Sequence, residues 1–207
     1  MTIPSGPILL VEDVPNILEL LSVTLRFHGY PIITATNGVE GLQQVEREKP
    51  ALVISDILMP QMDGYAMVYR LRTNPLTRHI PIIFLSATYV TPEDKEFGIN
   101  LGAIRFLEKP VDIEELLASV REALTQPLAD LPSLPEERQF YINYQKRLES
   151  KLRQKNVQIN RTERMLETLP EDQKPAYTVL LSDTRRERDQ IQRELDQLYE
   201  ILKQYTN

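Results

Sequence analysis

The chain has 207 residues, of which 42% are hydrophobic, and this content is enough for one buried core and an extension. Its 24 basic and 30 acidic residues give a net charge of −6, which does not favour a nucleic-acid-binding protein. The absence of cysteine excludes disulfides, thiolate catalysis and zinc sites built on cysteine.

The sequence carries neither a membrane-spanning pattern nor a secretion signal. No run approaches the roughly 20 apolar residues that a membrane span needs. Residues 1–6 lack the basic and then apolar order of a signal peptide. We therefore expect a cytoplasmic protein.

Apolar runs and amphipathic stretches alternate regularly over the first part of the chain. The runs predict strands near residues 7–12, 31–35, 51–55, 80–85 and 103–107. The stretches between them predict helices at 15–28, 38–48, 64–73, 92–101 and 112–125. This alternation predicts an α/β fold with a doubly wound, five-stranded parallel sheet whose strands are buried on both faces.

Polar residues stand where four of these strands end. Glu12 and Asp13 follow the first strand and Asp56 follows the third. Ser86 follows the fourth strand and Lys109 comes after the fifth. The carboxyl ends of parallel strands share one edge of the sheet, where such folds bind ligands. The sequence therefore predicts that these five side chains meet in one pocket.

These residue types suit phosphoryl transfer, a reaction that depends on positioning and on stabilisation of charge. Asp56 is the predicted nucleophile, since an aspartate can form an acyl phosphate. Its attack on a phosphoryl dianion needs a cation to offset the repulsion. Glu12, Asp13 and Asp56, with a backbone carbonyl near Leu58, form a predicted Mg²⁺ site, because this ion prefers a few carboxylates, water and phosphate oxygens.

The two remaining polar residues are predicted to contact the phosphoryl group itself. Lys109 offers a positive point charge to the phosphoryl oxygens, and Ser86 offers a hydroxyl donor to another oxygen. The predicted pocket thus holds a nucleophile, a metal site and two groups that stabilise charge.

Together and in this order, these residues resemble the receiver domain of two-component response regulators, over roughly residues 5–126. The matching positions are the acidic pair Glu12 and Asp13, the phosphoacceptor Asp56, the switch hydroxyl Ser86, the switch aromatic Phe106 and the lysine Lys109 before Pro110. Supporting matches are Met59-Pro60 and Asp63-Gly64 after the phosphoacceptor, and Ala87 after the switch hydroxyl. The resemblance implies a flavodoxin-like strand order 2-1-3-4-5, Mg²⁺ as cofactor, and a sensor histidine kinase or phosphotransfer protein as partner. It also implies a peptide bond before Pro110 that can be cis.

Several of these residues also have a plainer interpretation. Glu12 and Asp13 can cap the first helix, since Asp is a preferred N-cap residue and Pro15 suits the first helical turn. Asp63-Gly64 is expected to be a turn and a helix start rather than a ligand pair. His28 and His79, the only histidines, are expected at the surface or at helix ends, without a metal site.

A different class of function remains as the alternative, a Mg²⁺-dependent phosphatase of the haloacid dehalogenase type. Such enzymes also use an aspartate nucleophile, but they carry a second acid two residues later that protonates the leaving group. That position is Leu58 here, which leaves no general acid for an alcohol. The sequence therefore favours a phosphoacceptor that takes its phosphoryl group from phosphohistidine, rather than an enzyme with a separate substrate.

A change of composition divides the chain near residue 127. Residues 127–135 contain three prolines and are predicted to be a linker. Residues 136–207 contain no glycine and form a predicted all-α region that serves as an output or dimerisation module. Residues 127–207 hold 14 basic and 14 acidic residues, so the whole net charge belongs to the first part. The region has no short helix pair with a basic recognition face, and we do not expect it to bind DNA directly.

Two long helices are predicted in this second region. One seam recurs at strictly alternating spacings of four and three, through Tyr177, Leu181, Thr184, Arg188, Ile191, Leu195, Leu198, Leu202 and Tyr205. An earlier segment has a similar but imperfect spacing, with Lys155 and Thr162 at seam positions between the residues Tyr141, Tyr144, Leu148, Leu152, Ile159, Leu166 and Leu169. The prolines within 169–175 are expected to break the helix and form a hairpin or coiled coil. A single hairpin is expected to leave much of Leu195, Leu198 and Leu202 in water. We therefore predict a homodimer through residues 136–205, acting on an unknown downstream protein.

Overall fold

The computed structural model describes residues 6–86, 92–125 and 134–205, with side chains in the second range described from residue 95 onward. The chain divides into two compact units, Met1–Leu134 and Pro135–Asn207. The predicted linker, residues 127–135, lies mostly outside the described residues, as does Ala87.

The first unit alternates strands and helices along the chain. Its elements are β1 (Ile8–Val11), α1 (Pro15–Phe27), β2 (Ile32–Ala35), α2 (Gly38–Glu48), β3 (Leu52–Asp56), α3 (Gly64–Thr73), β4 (Ile82–Ser86), α4 (Pro92–Asn100), β5 (Arg105–Glu108) and α5 (Ile113–Thr125). The five strands form one parallel sheet in the order β2-β1-β3-β4-β5. The doubly wound fold and its strand order are therefore confirmed.

Helices cover both faces of this sheet. On one face α1 and α5 bury a cluster that includes Leu21 and Val120 against Leu10 and Ile54 of the sheet. On the other face Tyr65 of α3 contacts Phe84 of β4. Because helices cover both faces, a ligand can reach the polar side chains only at the carboxyl ends of the strands.

The residues of the edge strand β5 are less buried than the sequence analysis predicts for strands covered on both faces. Every residue of β1, β3 and β4 is buried, but Arg105 and Glu108 of β5 are exposed. Arg105 pairs with Glu122 on α5, with Nη2 of the arginine 2.6 Å from Oε2 of the glutamate. The expectation is wrong for β5 because an edge strand has only one neighbouring strand to cover it.

The start of α1 corrects one alternative interpretation of the acidic pair. The N-cap residue is Val14, and it makes no side-chain capping bond, while Pro15 begins the helix as expected. Oε1 of Glu12 accepts a bond from the Val14 N–H at 3.3 Å, so the helix is not capped by Asp13. In contrast, Asp63 does cap α3, accepting a bond from the Ala66 N–H at 2.7 Å.

The second unit is an antiparallel hairpin of two helices, α6 (Glu137–Thr168) and α7 (Lys174–Lys203). Residues near the start of α6 contact residues near the end of α7: Tyr199 donates to Oε1 of Glu149 at 2.9 Å. Nearer the turn, Nη2 of Arg185 lies 2.6 Å from Oε1 of Glu163. The predicted break between two helices of about 30 residues, each about 45 Å long, is therefore present.

The hairpin buries its own seam within one chain. This finding removes the argument for a homodimer that rested on leucines left in water. Leu195 is 1% exposed and Leu198 is 3% exposed, whereas Leu202 is half-buried. Helix α6 packs along α7, and Tyr144 of α6 donates to Oε1 of Glu194, the neighbour of Leu195. Phe140 of α6 is also fully buried, although the spacing did not identify it. The expectation that a single hairpin leaves these leucines in water is wrong for Leu195 and Leu198, because the two helices of one chain already bury them. Among the described residues, no helix is long and apolar enough to cross a membrane.

Candidate functional site

Three carboxylates meet where β1 and β3 end. These two strands pair in parallel with Val11 beside Ser55, so the residues that follow them emerge together at the sheet edge. Glu12, Asp13 and Asp56 each place one oxygen within 4.8 Å of the others. Such a set of hard oxygen donors fits a divalent cation like Mg²⁺.

Lys109 reaches this cluster from the end of β5. Its Nζ lies 2.7 Å from Oε2 of Glu12 and 3.0 Å from Oδ2 of Asp56. The backbone N–H of Lys109 donates to the carbonyl of Ser86 at 2.7 Å, and the Lys109-Pro110 peptide bond is cis. The parallel pairing of the strands therefore brings Lys109 into contact with Glu12 and Asp56, as the sequence predicts.

Burial and mutual repulsion perturb the protonation of the acids. Burial, together with the charge of Asp56, raises the pKa of Glu12 to about 7, although Lys109 opposes this shift. The same two causes raise the pKa of Asp13. Burial disfavours the charged form of Lys109, but attraction to Asp56 and Glu12 outweighs it and raises the lysine pKa. One ammonium group therefore offsets only part of three crowded carboxylates, and a further cation would relieve their repulsion.

Asp56 is held by the chain on either side of it. Its Oδ1 accepts a bond from the Ile57 N–H at 2.7 Å, and its carbonyl accepts one from the Ser55 hydroxyl at 2.7 Å. The Cα of Gly64 packs against that carbonyl so closely that a Cβ there would lie 2.3 Å from the oxygen. The sequence predicted Asp63-Gly64 as a turn and a helix start that match the family, but it did not predict the close approach of Gly64 to the Asp56 carbonyl.

Ser86 ends β4 directly beside β3, where Asp56 pairs with Leu85. The serine is fully buried, and its hydroxyl has no hydrogen-bond partner among the described residues. An unpaired buried hydroxyl costs free energy, and such a group in a native structure points to a ligand or a special role. A phosphoryl oxygen on the neighbouring Asp56 would supply the missing partner.

The remaining predicted residues lie around this pocket or outside it. Phe106 of β5 is half-buried, with its ring centroid 5.2 Å from that of Phe84. Leu58 lies half-buried two residues beyond β3, and its carbonyl as a metal ligand stays a prediction. His28 ends α1, where its Nδ1 is 2.9 Å from the Thr24 carbonyl, and exposed His79 accepts a bond from Arg78.

The chain matches the model of the response regulator receiver domain over residues 8–121. It therefore belongs to this family, which acts in two-component signalling. The family resemblance predicted from the strand-end residues is confirmed.

Curated relatives share the front part of this chain. The "DNA-binding dual master transcriptional regulator RpaA" of Synechocystis is 37% identical over 117 residues, which are 56% of this chain and 48% of that protein. The "Response regulator Rre1" of Synechocystis is 36% identical over 139 residues, 67% of this chain and 60% of that protein. The chain thus spans about half of the first relative and three fifths of the second. Since relatives include transcriptional regulators, the expectation of no DNA binding gains no support.

A solved structure with a related sequence bears on the metal. The receiver domain of sensor histidine kinase PA1611 from Pseudomonas aeruginosa is 28% identical, with a TM-score of 0.54, and covers 58% of this chain and 98% of its own. That structure has a magnesium ion coordinated in its active site cleft. Receiver domains bind Mg²⁺ at an acidic site, and this chain has an acidic cluster at its strand ends. The phosphatase alternative of the haloacid dehalogenase type is not supported.

Proposed function

We propose that this chain is a response regulator that accepts a phosphoryl group on Asp56 from a histidine kinase or phosphotransfer protein. The observation that carries the proposal is the contact of Lys109 with both Glu12 and Asp56 beside the third acid, Asp13. Such an arrangement places a nucleophile, a cation and a metal-binding set around one point, as phosphoryl transfer requires.

The transfer forms one bond and breaks one. A carboxylate oxygen of Asp56 bonds to phosphorus while the bond between phosphorus and the donor histidine nitrogen breaks, and that electron pair stays with the imidazole. Lys109 stabilises negative charge on the phosphoryl oxygens, and the Ser86 hydroxyl donates to one of them. The imidazole leaves as a neutral ring because its other nitrogen carries a proton, so the reaction needs no general acid at Leu58.

Glu12, Asp13, Asp56 and the Leu58 carbonyl are the residues proposed to hold Mg²⁺. When bound, the ion supplies positive charge that offsets repulsion between the Asp56 carboxylate and the incoming phosphoryl group. The chain supplies the fixed positions of its acids, because β1 and β3 hold them at one sheet edge. In this proposal the chain catalyses only its own phosphorylation and dephosphorylation.

The hairpin of α6 and α7 is proposed as the output module. Its seam is buried within the chain, whereas Val157, Val179 and Leu180 remain exposed on its surface. Exposed apolar side chains are available to a partner, which favours an interaction module for a downstream protein. The homodimer through residues 136–205 and the domain limits 5–126, 127–135 and 136–207 stay predictions.

The proposal is tested by labelling the full chain with acetyl phosphate and Mg²⁺. Wild-type protein should acquire phosphate that is acid-labile and sensitive to hydroxylamine, and Asp56→Asn should acquire none, because an amide does not attack phosphorus. Asp112→Asn is the matched control, since Asp112 caps α5 through the Glu115 N–H and Asn caps as well. Equal labelling of Asp56→Asn and wild type would refute the assignment, as would turnover of phosphate monoesters by the wild type.

A further inference from the structure

The ring of Phe106 lies against a residue of α4 that has no side chain. A Cβ atom built on Gly98 would lie 2.3 Å from Cζ and 2.6 Å from Cε2 of Phe106. Carbon atoms that are not bonded reach their best separation at about 3.5–4.0 Å. The ring therefore occupies the volume that any other residue at position 98 would fill.

The backbone at position 98 gives no other reason for a glycine. Gly98 lies inside the helix Pro92–Asn100, and its φ is not in the left-handed region that favours glycine. A glycine inside a helix destabilises it relative to alanine, since its backbone loses more freedom on folding. The close approach of the Phe106 ring is the feature that offsets this cost.

Phe84, which lies on the other side of the Phe106 ring from solvent, is held in place by its neighbours. Phe84 lies 5.2 Å from Phe106 between ring centroids, and the same Cβ on Gly98 would lie 3.2 Å from its Cδ2. Phe84 is fully buried, and Tyr65 packs edge-on against it at 5.2 Å. Phe106 is only half-buried on the edge strand β5. A side chain at position 98 would therefore displace Phe106, which can rotate to another staggered rotamer toward solvent.

We propose that Gly98 is a positioning residue for the switch aromatic: its missing side chain creates the inner site of Phe106 and sets how readily the ring occupies it. The inference rests on the proposed phosphorylation of Asp56 and on the family resemblance, which implies that Phe106 is the switch aromatic, and it adds a determinant on α4. Because the ring touches the helix at its backbone, its movement in or out changes the packing of α4 directly. Any larger residue at position 98 shifts the population toward the outer rotamer.

The test uses the full chain with ¹³C-labelled phenylalanine rings, which report each of its five phenylalanines without adding an atom. In Gly98→Ala the ring signals of Phe106 should move toward those of Phe27, whose side chain is 87% exposed. Asn100→Ala, an exposed neighbour on α4, is the control and should leave the signal in place. An unchanged Phe106 signal in Gly98→Ala would overturn the proposal.

Two further measurements separate this proposal from the phosphorylation assignment and from simple misfolding. Gly98→Ala should still be labelled by acetyl phosphate, whereas failure of the wild type to be labelled would count against the proposed function alone.

In the wild-type background Gly98→Ala should shift the unfolding equilibrium about tenfold toward the unfolded state, as overpacking does. In a Phe106→Ala background the same change should be neutral or stabilising, because the ring is gone. An equal loss of stability in both backgrounds would contradict the pairing.

Discussion

Nζ of Lys109 lies 2.7 Å from Oε2 of Glu12, although the two residues are 97 positions apart in the chain. Glu12 is fully buried, so this contact and the bond from Val14 replace the water that the carboxylate would otherwise bind. Removal of one partner from a buried ion pair destabilises a protein because it leaves the other charge uncompensated. The stability of the fold and the chemistry of the pocket thus depend on the same lysine.

Lys109→Met should destabilise the first unit, and the loss should grow with pH. Burial and Asp56 already raise the pKa of Glu12 to about 7, and removing the lysine raises it further. A raised carboxyl pKa means that the folded state prefers the protonated form, so stability falls as pH rises from about 4.5 through the folded pKa. We expect a loss of about 3 kcal/mol at about pH 8.5 and a smaller one at about pH 6, measured by urea unfolding.

The matched control for this change is Lys95→Met. Lys95 pairs with Glu108 at 2.7 Å, but the two side chains are 42% and 56% exposed. Exposed ion pairs contribute about 0–1 kcal/mol, so this variant should unfold like the wild type at both pH values. A pH-independent loss in Lys109→Met would indicate that the lysine stabilises the fold by packing and not through Glu12.

Asp13→Asn should weaken Mg²⁺ binding while leaving the fold intact. The variant keeps one oxygen but loses an anionic ligand, and we expect an affinity about tenfold lower by isothermal titration calorimetry. Because Mg²⁺ competes with protons for the acids, wild-type affinity should also rise as pH increases through about 7, where Glu12 ionises. Glu114→Gln, an exposed acid on α5, is the control. Unchanged affinity in Asp13→Asn would remove Asp13 from the metal site.

Ser86→Ala should accept phosphate but transmit it poorly. The Ser86 hydroxyl is buried without a partner among the described residues, so a phosphoryl oxygen is expected to draw it and to shift the population of Phe106 between its inner site and the outer rotamer. Beryllofluoride should therefore shift the amide signals of α4, β5 and α5 in the wild type and much less in Ser86→Ala. Ser22→Ala, which removes a buried hydroxyl on α1, should respond like the wild type. Equal responses in all three proteins would contradict the role of Ser86.

Leu195→Ala should destabilise the hairpin within a single chain. Leu195 is 1% exposed, and truncation of a buried leucine costs about 2–5 kcal/mol. Hydrogen exchange of α6 and α7 should show this loss equally at low and high protein concentration, since the seam is closed within one chain. Val179→Ala, at a 61% exposed position, should change stability by less than about 0.5 kcal/mol. Protection that rises with concentration, together with a dimeric mass by light scattering, would instead support the predicted homodimer.

The sequence by itself determined the architecture of the first unit and the residues of its pocket. Apolar runs set where strands form, and strand order follows from the family resemblance. Once β1 and β3 are parallel neighbours, Glu12 and Asp56 must leave the sheet at the same edge. The sequence also determined where the long helices break, because the prolines near residue 170 disfavour a continuous helix.

Only the tertiary structure decided which surfaces cover each other. Leu195 and Leu198 are buried by the facing helix of the same chain, which the spacing within α7 does not specify. The close approach of Phe106 to Gly98 depends on how α4 lies against β5, and a glycine in sequence gives no sign of the ring that contacts it. Such contacts follow from the volumes of distant residues packed at high density, whereas the strand ends follow from local periodicity and parallel pairing.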